Sequence, residues 1–161
     1  MLTKGKFQAS ERKIEYSNEV INIIVVVDSW SWIEYFIGSK HGAVVAKYIE
    51  KEDCYIPSIV LVEIAGKYIR ENFPESEVRK RIIFITKKSE IVELNIELAI
   101  MGGKCWIELR NIAKQKGLSK LPSLADGIIL ATARYLRGKV LTGDEHFRFL
   151  DDDVIFVGKN D

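Results

Sequence analysis

The residues that most constrain this chain are INIIVVVDS, positions 21–29, where aliphatic and β-branched side chains run on with almost no polar alternate. A strand with one wet face alternates apolar with polar residues, so an unbroken run predicts a strand covered on both faces, the setting of a parallel sheet. Asp28 closes that run. In open α/β sheets the ligand crevice lies beyond the carboxyl ends of the strands, where loops and helix N-termini converge. Position alone therefore makes Asp28 a candidate functional residue.

Downstream, strands and helices alternate. WSWIEYFIG, capped by Ser29 or Asp28 and stopped by Gly38, predicts a first helix, and AVVAKYIEKED a second. CYIP reads as a short strand, followed by a long helix, IVLVEIAGKYIREN, capped by Ser58 and ended by Pro74. Residues 75–88 form an amphipathic helical pattern in which IIFI fits a strand equally well. SEIVEL is a further strand candidate, and a helical pattern runs from Asn95 to Gly117 with Gly102-Gly103 as a weak point. Pro122 opens SLADGIILATARYLRG, Gly138 ends it, and KVLTG, DEHFRFL and DVIFVG follow as strand, short helix and strand. Strands separated by helices pair in parallel through right-handed crossovers, which predicts a three-layer α/β/α sandwich with a parallel central sheet.

At 161 residues and 47% hydrophobic composition, one well-filled domain is expected over residues 21–161. Residues 1–20 are polar and weakly periodic, and read as an N-terminal arm or accessory element. The net charge of +1, from 24 basic and 23 acidic side chains, excludes a strong overall attraction to nucleic acid or anionic membrane, so any such preference is local. Cys54 and Cys105 form no C-x-x-C pair and read as buried free thiols of a reducing, cytoplasmic compartment. The apolar run at Ile21–Val27 is too short to span a bilayer, and the N-terminus carries no secretion-signal pattern, so a soluble, unsecreted protein is expected.

Three more acids join Asp28. Asp144 follows KVLTG and should emerge at the same sheet edge, while Glu63 interrupts IVLVEIA and Asp126 interrupts LADGIILATA. An ionised carboxylate on a buried helix face is costly unless a cation or hydrogen-bond donors meet it. Four carboxylates close together also repel, and a divalent ion relieves that repulsion. Oxygen ligands without His or Cys at ligand spacing favour Mg²⁺ or Mn²⁺ over zinc, an arrangement suited to phosphodiester hydrolysis. Each acid has a plainer reading. Asp28 and Asp144 fit as helix N-caps, Asp126 as a complement to a helix dipole, and Glu63 as a solvent-facing residue, although its apolar neighbours argue against that.

VVVDS after the first strand, VEI within the helix after the second, S-x-x-D-x-x-I-x-x-A in SLADGIILATA and T-x-D-x-x-F in TGDEHF occur in that order over residues 24–157. In these features the chain resembles a PIN domain, particularly the small prokaryotic toxin type called VapC. The resemblance implies a parallel sheet of order 3-2-1-4-5. It also implies a catalytic, metal-binding set of Asp28, Glu63, Asp126 and Asp144 with Mg²⁺ or Mn²⁺, and Ser29, Ser123 and Thr142 as supporting hydroxyls. An RNA substrate, a homodimer and a small antitoxin partner complete the implied picture. No zinc ribbon of the ribosome-maturation PIN nucleases is present, which favours the toxin type over an RNA-processing nuclease.

Between Lys104 and Lys139 the chain is rich in cations, and Lys104, Arg110, Lys114, Lys116 and Lys120 are candidates for holding RNA phosphates; a solvated helix face fits them equally. Trp30, Trp32, Tyr35 and Phe36 could stack bases, but their helical spacing favours core or a dimer seam. His41 and His146 lack ligand spacing and read as surface groups, and RKRIIFITKK as an amphipathic helix rather than a targeting signal. A phosphoacceptor receiver needs an adjacent acidic pair, and a haloacid-dehalogenase phosphatase needs D-x-D, where this chain has Asp28-Ser29-Trp30. A catalytically inactive PIN fold that only binds is the remaining alternative, since fold does not establish function.

Overall fold

The computed structural model describes residues 22–158, and the arm expected over residues 1–20 lies outside them. Five strands, β1 (Ile24–Val27), β2 (Asp53–Pro57), β3 (Glu90–Val92), β4 (Lys139–Thr142) and β5 (Val154–Phe156), form one sheet of order β3-β2-β1-β4-β5. Every pairing is parallel, with Val26 opposite Tyr55 on one side and Val140 on the other. Successive strand side chains point to opposite faces, and Val25, Val26 and Val27 are each 0% exposed, so both faces of β1 are covered. The expected three-layer α/β/α arrangement and strand order are therefore present.

The covering helices are α1 (Ser29–Ile37), α2 (Lys40–Lys51), α3 (Ser58–Arg70), α4 (Glu75–Lys88), α5 (Ile96–Gln115) and α6 (Leu124–Tyr135). Of the two caps expected for α1, Asp28 is the one used. Three boundaries differ from expectation. α2 begins at Lys40 because the Ser39 hydroxyl accepts the Gly42 N–H at 2.9 Å. Ser58 is the first helical residue rather than a cap, since Pro57 ends β2 in extended backbone and offers no side-chain acceptor. DEHFRFL contributes only a single 3₁₀ turn, Glu145–Phe147.

IIFI is helical, inside α4, where Ile85 is buried and Phe84 packs edge-on to Trp32. Arg81 of the same helix turns inward, its guanidinium 4.4 Å from the centre of the Tyr68 ring and 4.6 Å from that of Phe73. Trp32 is fully buried and stacks on Phe36, which makes this cluster core.

Gly102-Gly103 does not interrupt α5. Helix α6 crosses there, and a Cβ on Gly127 would stand 2.6 Å from the Gly102 carbonyl oxygen and 2.7 Å from Trp106 Cβ, so glycine sets the distance between the two helices. Cys54 and Cys105 are buried and free. No helix among the described residues is long and apolar enough to cross a membrane.

Candidate active site

β1 and β4 are neighbours in a parallel sheet, so their carboxyl ends deliver Asp28 and Asp144 to the same edge. Asp28 is 3% exposed and caps α1, its Oδ1 accepting the Ser31 N–H at 2.9 Å. Its Oδ2 accepts the Thr142 hydroxyl, and that hydroxyl in turn accepts the Asp144 N–H at 2.9 Å. Asp144 Oδ1 accepts the His146 N–H and so caps the 3₁₀ turn.

Asp126 enters from α6. Ser123 and Asp126 form a reciprocal capping box in which Asp126 Oδ2 accepts both the Ser123 N–H, at 2.7 Å, and its hydroxyl, at 3.1 Å. Glu63 enters from α3, with Oε2 buried and lacking any hydrogen-bond partner. Three of the four acids thus fill the capping and dipole roles that were their plainer readings; Asp126 and Asp144 offer oxygens within 4.8 Å of each other, and Asp28 is joined to Asp144 through the Thr142 hydroxyl.

Burial and neighbouring charge raise three of these carboxyls. Burial, partly offset by the Thr142 and Ser31 hydrogen bonds, pushes the Asp28 carboxyl up to about 7, and Asp144 adds to the rise. Burial followed by the charge of Asp126 pushes Glu63 to about 7 as well, with the Ser29 hydroxyl acting the other way and Asp144 adding a smaller push. Asp126 is also raised, first by burial, against its bonds to Ser123. Buried carboxyls whose charges also act on one another, with an orphaned carboxylate oxygen at Glu63, are what a divalent cation would neutralise, and an oxygen-rich donor set suits a hard ion.

His146 corrects the sequence reading. Its side chain is 12% exposed, and Nδ1 lies 3.3 Å from Asp144 Oδ1 and 3.5 Å from Asp126 Oδ2. Asp126, Asp144 and His146 each offer a donor atom, all within 4.8 Å of one another. The only sequence signal was a histidine two residues past a strand-end acid, on a turn which that acid caps. Ser31 carries no distinguishing signal in the sequence. It is 0% exposed, and its hydroxyl donates to the Leu141 carbonyl at 2.7 Å, tying α1 to β4. Trp30 packs on the turn after β4, where a Cβ on Gly143 would stand 2.3 Å from the indole ring, so any side chain there must displace the ring or the turn that carries Asp144.

The expected basic residues divide. Lys120 reaches the site through its carbonyl, 3.0 Å from His146 Nε2. Arg110 lies over the Trp106 ring, whose N–H donates to the Pro122 carbonyl just ahead of Ser123. Lys116 sits over Phe149, and Lys104 and Lys114 are exposed on α5. Arg134, part of the same cationic stretch, is bound by Glu108 and Asp153. A second groove, lined by Ser29, Glu63, Gly66, Lys67 and Arg70, leads away from Glu63 along α3.

Fold and site together define a parallel α/β protein with an acid-centred crevice at the carboxyl edge of its sheet. The PIN domain family profile matches residues 25–152, and the chain belongs to that family, one of nucleases. Among solved structures it is similar to VapBC2 from Rickettsia felis bound to a promoter DNA fragment, at 17% identity and TM-score 0.61 over 83% of this chain and 98% of that one. A toxin-antitoxin complex from Klebsiella pneumoniae is similar at 19% identity and TM-score 0.60, over 84% and 99%. VapC20 from Mycobacterium tuberculosis, described as a sarcin-ricin loop cleaving toxin, aligns at 14% identity and TM-score 0.50, over 69% and 82%. Identities this low establish the shared fold. No relative was found among curated protein sequences.

Proposed function

We propose that the chain is a divalent-cation-dependent endoribonuclease and the toxin of a toxin-antitoxin pair, working in the cytoplasm. The reading is supported by Asp126 and Asp144, whose oxygens lie within 4.8 Å of each other, and by Asp28 and Glu63, which both feel the Asp144 charge and whose carboxyls stand near 7. These four acids are the catalytic set, and Ser29, Ser123 and Thr142 are their supporting hydroxyls.

Asp126, Asp144 and Asp28 would hold Mg²⁺ or Mn²⁺, which when bound supplies charge neutralisation and polarises water and phosphate. The remaining work belongs to the chain. Thr142 and Ser31 fix the Asp28 carboxylate, and the Ser123 capping box fixes that of Asp126, so neither reorganises as charge develops. Glu63, with an unpaired buried Oε2 and a carboxyl at about 7, has the proton affinity to take a proton from an attacking water at neutral pH. Lys104, Arg110, Lys114, Lys116 and Lys120 give RNA a sequence-blind, salt-dependent hold beside the site.

An antitoxin partner is supported by the relatives solved as toxin-antitoxin complexes. A homodimer is supported by Ile96, Ile100 and Ile107, exposed at helical spacing on α5. The test is cleavage of single-stranded RNA by the purified protein with Mg²⁺ or Mn²⁺ and with chelator. Cleavage that needs the ion and is abolished in Asp28→Asn and Asp126→Asn supports the reading; unchanged cleavage by both variants overturns it.

A further inference from the structure

One nitrogen of His146 has its role settled by its surroundings and the other does not. Nε2 stands 3.0 Å from the Lys120 carbonyl oxygen, and a carbonyl only accepts, so Nε2 carries the proton. In the neutral ring Nδ1 is then a bare lone pair. That atom is buried, has no hydrogen-bond partner, and faces Asp144 Oδ1 at 3.3 Å and Asp126 Oδ2 at 3.5 Å. Both oxygens already accept hydrogen bonds from elsewhere, Asp144 Oδ1 from the His146 N–H and Asp126 Oδ2 from Ser123.

Three electron-rich atoms turned toward one gap repel unless a cation lies among them. Neighbouring ligands of one octahedral ion, each about 2.1 Å from it, stand about 3 Å apart, close to the separations between Nδ1 and the two oxygens. The bond from Nε2–H to a backbone carbonyl is also the usual device for orienting a ligating imidazole.

We propose that His146 Nδ1 binds directly the divalent cation held by Asp126 and Asp144, making a mixed nitrogen–oxygen site that takes Mn²⁺ in preference to Mg²⁺. The inference rests on reading the acids as a cation site, and adds to them a ligand of another chemical kind. Imidazole suits transition metals, whereas Mg²⁺ is held by carboxylate, carbonyl and water oxygens. Losing the nitrogen should therefore weaken Mn²⁺ more than Mg²⁺. A protonated ring serving only as a counter-ion would make no bond to the metal, and its loss would change both affinities alike.

The experiment uses the whole protein loaded with Mn²⁺, with pulsed electron paramagnetic resonance to detect ¹⁴N coupling and calorimetric titrations with MnCl₂ and MgCl₂. We expect imidazole coupling in the parent, its survival in His41→Gln, and its loss in His146→Gln, whose amide can still donate to the Lys120 carbonyl. Mn²⁺ affinity should fall about tenfold in His146→Gln and Mg²⁺ affinity by much less. Absence of ¹⁴N coupling in the Mn²⁺-loaded parent, or an equal fall for both ions, overturns the proposal while leaving the acidic site standing. A parent that binds neither ion overturns both.

Discussion

The Thr142 hydroxyl donates to Asp28 Oδ2 and accepts the Asp144 N–H at 2.9 Å, so one small side chain ties the carboxyl ends of β1 and β4 together. Replacing it with valine keeps the shape and removes both bonds. A buried carboxylate oxygen and a backbone N–H then lose a partner, at about 1–3 kcal/mol each where no water can reach them. Thr142→Val is expected to unfold at lower urea concentration than the parent and Thr142→Ser near the parent value. Indistinguishable midpoints for Val and the parent would show the hydroxyl to be dispensable.

Asp28 is kept where an ionised carboxyl is unfavourable, which predicts opposed effects on stability and activity. Asparagine can still accept the Ser31 N–H and carries no charge into the crevice. In divalent-free buffer at pH 8, Asp28→Asn is expected to melt no lower than the parent, while its RNA cleavage is lost. Calorimetry and a cleavage assay on one preparation check both.

Asp28 and Glu63 also give metal-free stability a definite pH dependence. Their carboxyls stand at about 7, against ordinary values of 3.8 and 4.5, so the folded protein binds these protons more tightly than the unfolded chain does. Stability from that source is fully present below about pH 4 and is lost as pH rises through about 7. Each pK unit at Asp28 corresponds to about 1.4 kcal/mol at most, so the melting temperature in chelator should drop by several degrees between pH 4 and pH 8. Saturating Mn²⁺ should flatten that slope, and a rise in chelator would contradict the buried-acid account.

Gly143 tests how tightly the turn is built. Alanine there would drive its Cβ into the Trp30 ring at 2.3 Å, so either the ring or the turn carrying Asp144 must move. Gly143→Ala is expected to lose about 1–3 kcal/mol in urea unfolding. Mn²⁺ binding should weaken with it, whereas Gly66→Ala, inside α3 with open space at its Cβ, should raise stability by about 0.5–1 kcal/mol.

Asp28 and Asp144 were legible in the sequence because a β-branched run is covered on both faces and must end at the crevice edge, whatever packs around it. Glu63 and Asp126 stood out as charges in apolar runs, since a solvated acid rarely sits among valines and isoleucines. Local pattern stops there. His146 resembled any surface histidine until the α5–α6 connection brought the Lys120 carbonyl against its ring, 26 residues away in the chain. Likewise, only the crossing of α5 and α6 turned Gly102 from a weak point into a contact, and only Glu108 and Asp153 took Arg134 out of the cationic surface. Strand identity and end position follow from short-range periodicity, whereas which lone pairs and charges face one another depends on long-range packing that periodicity does not encode.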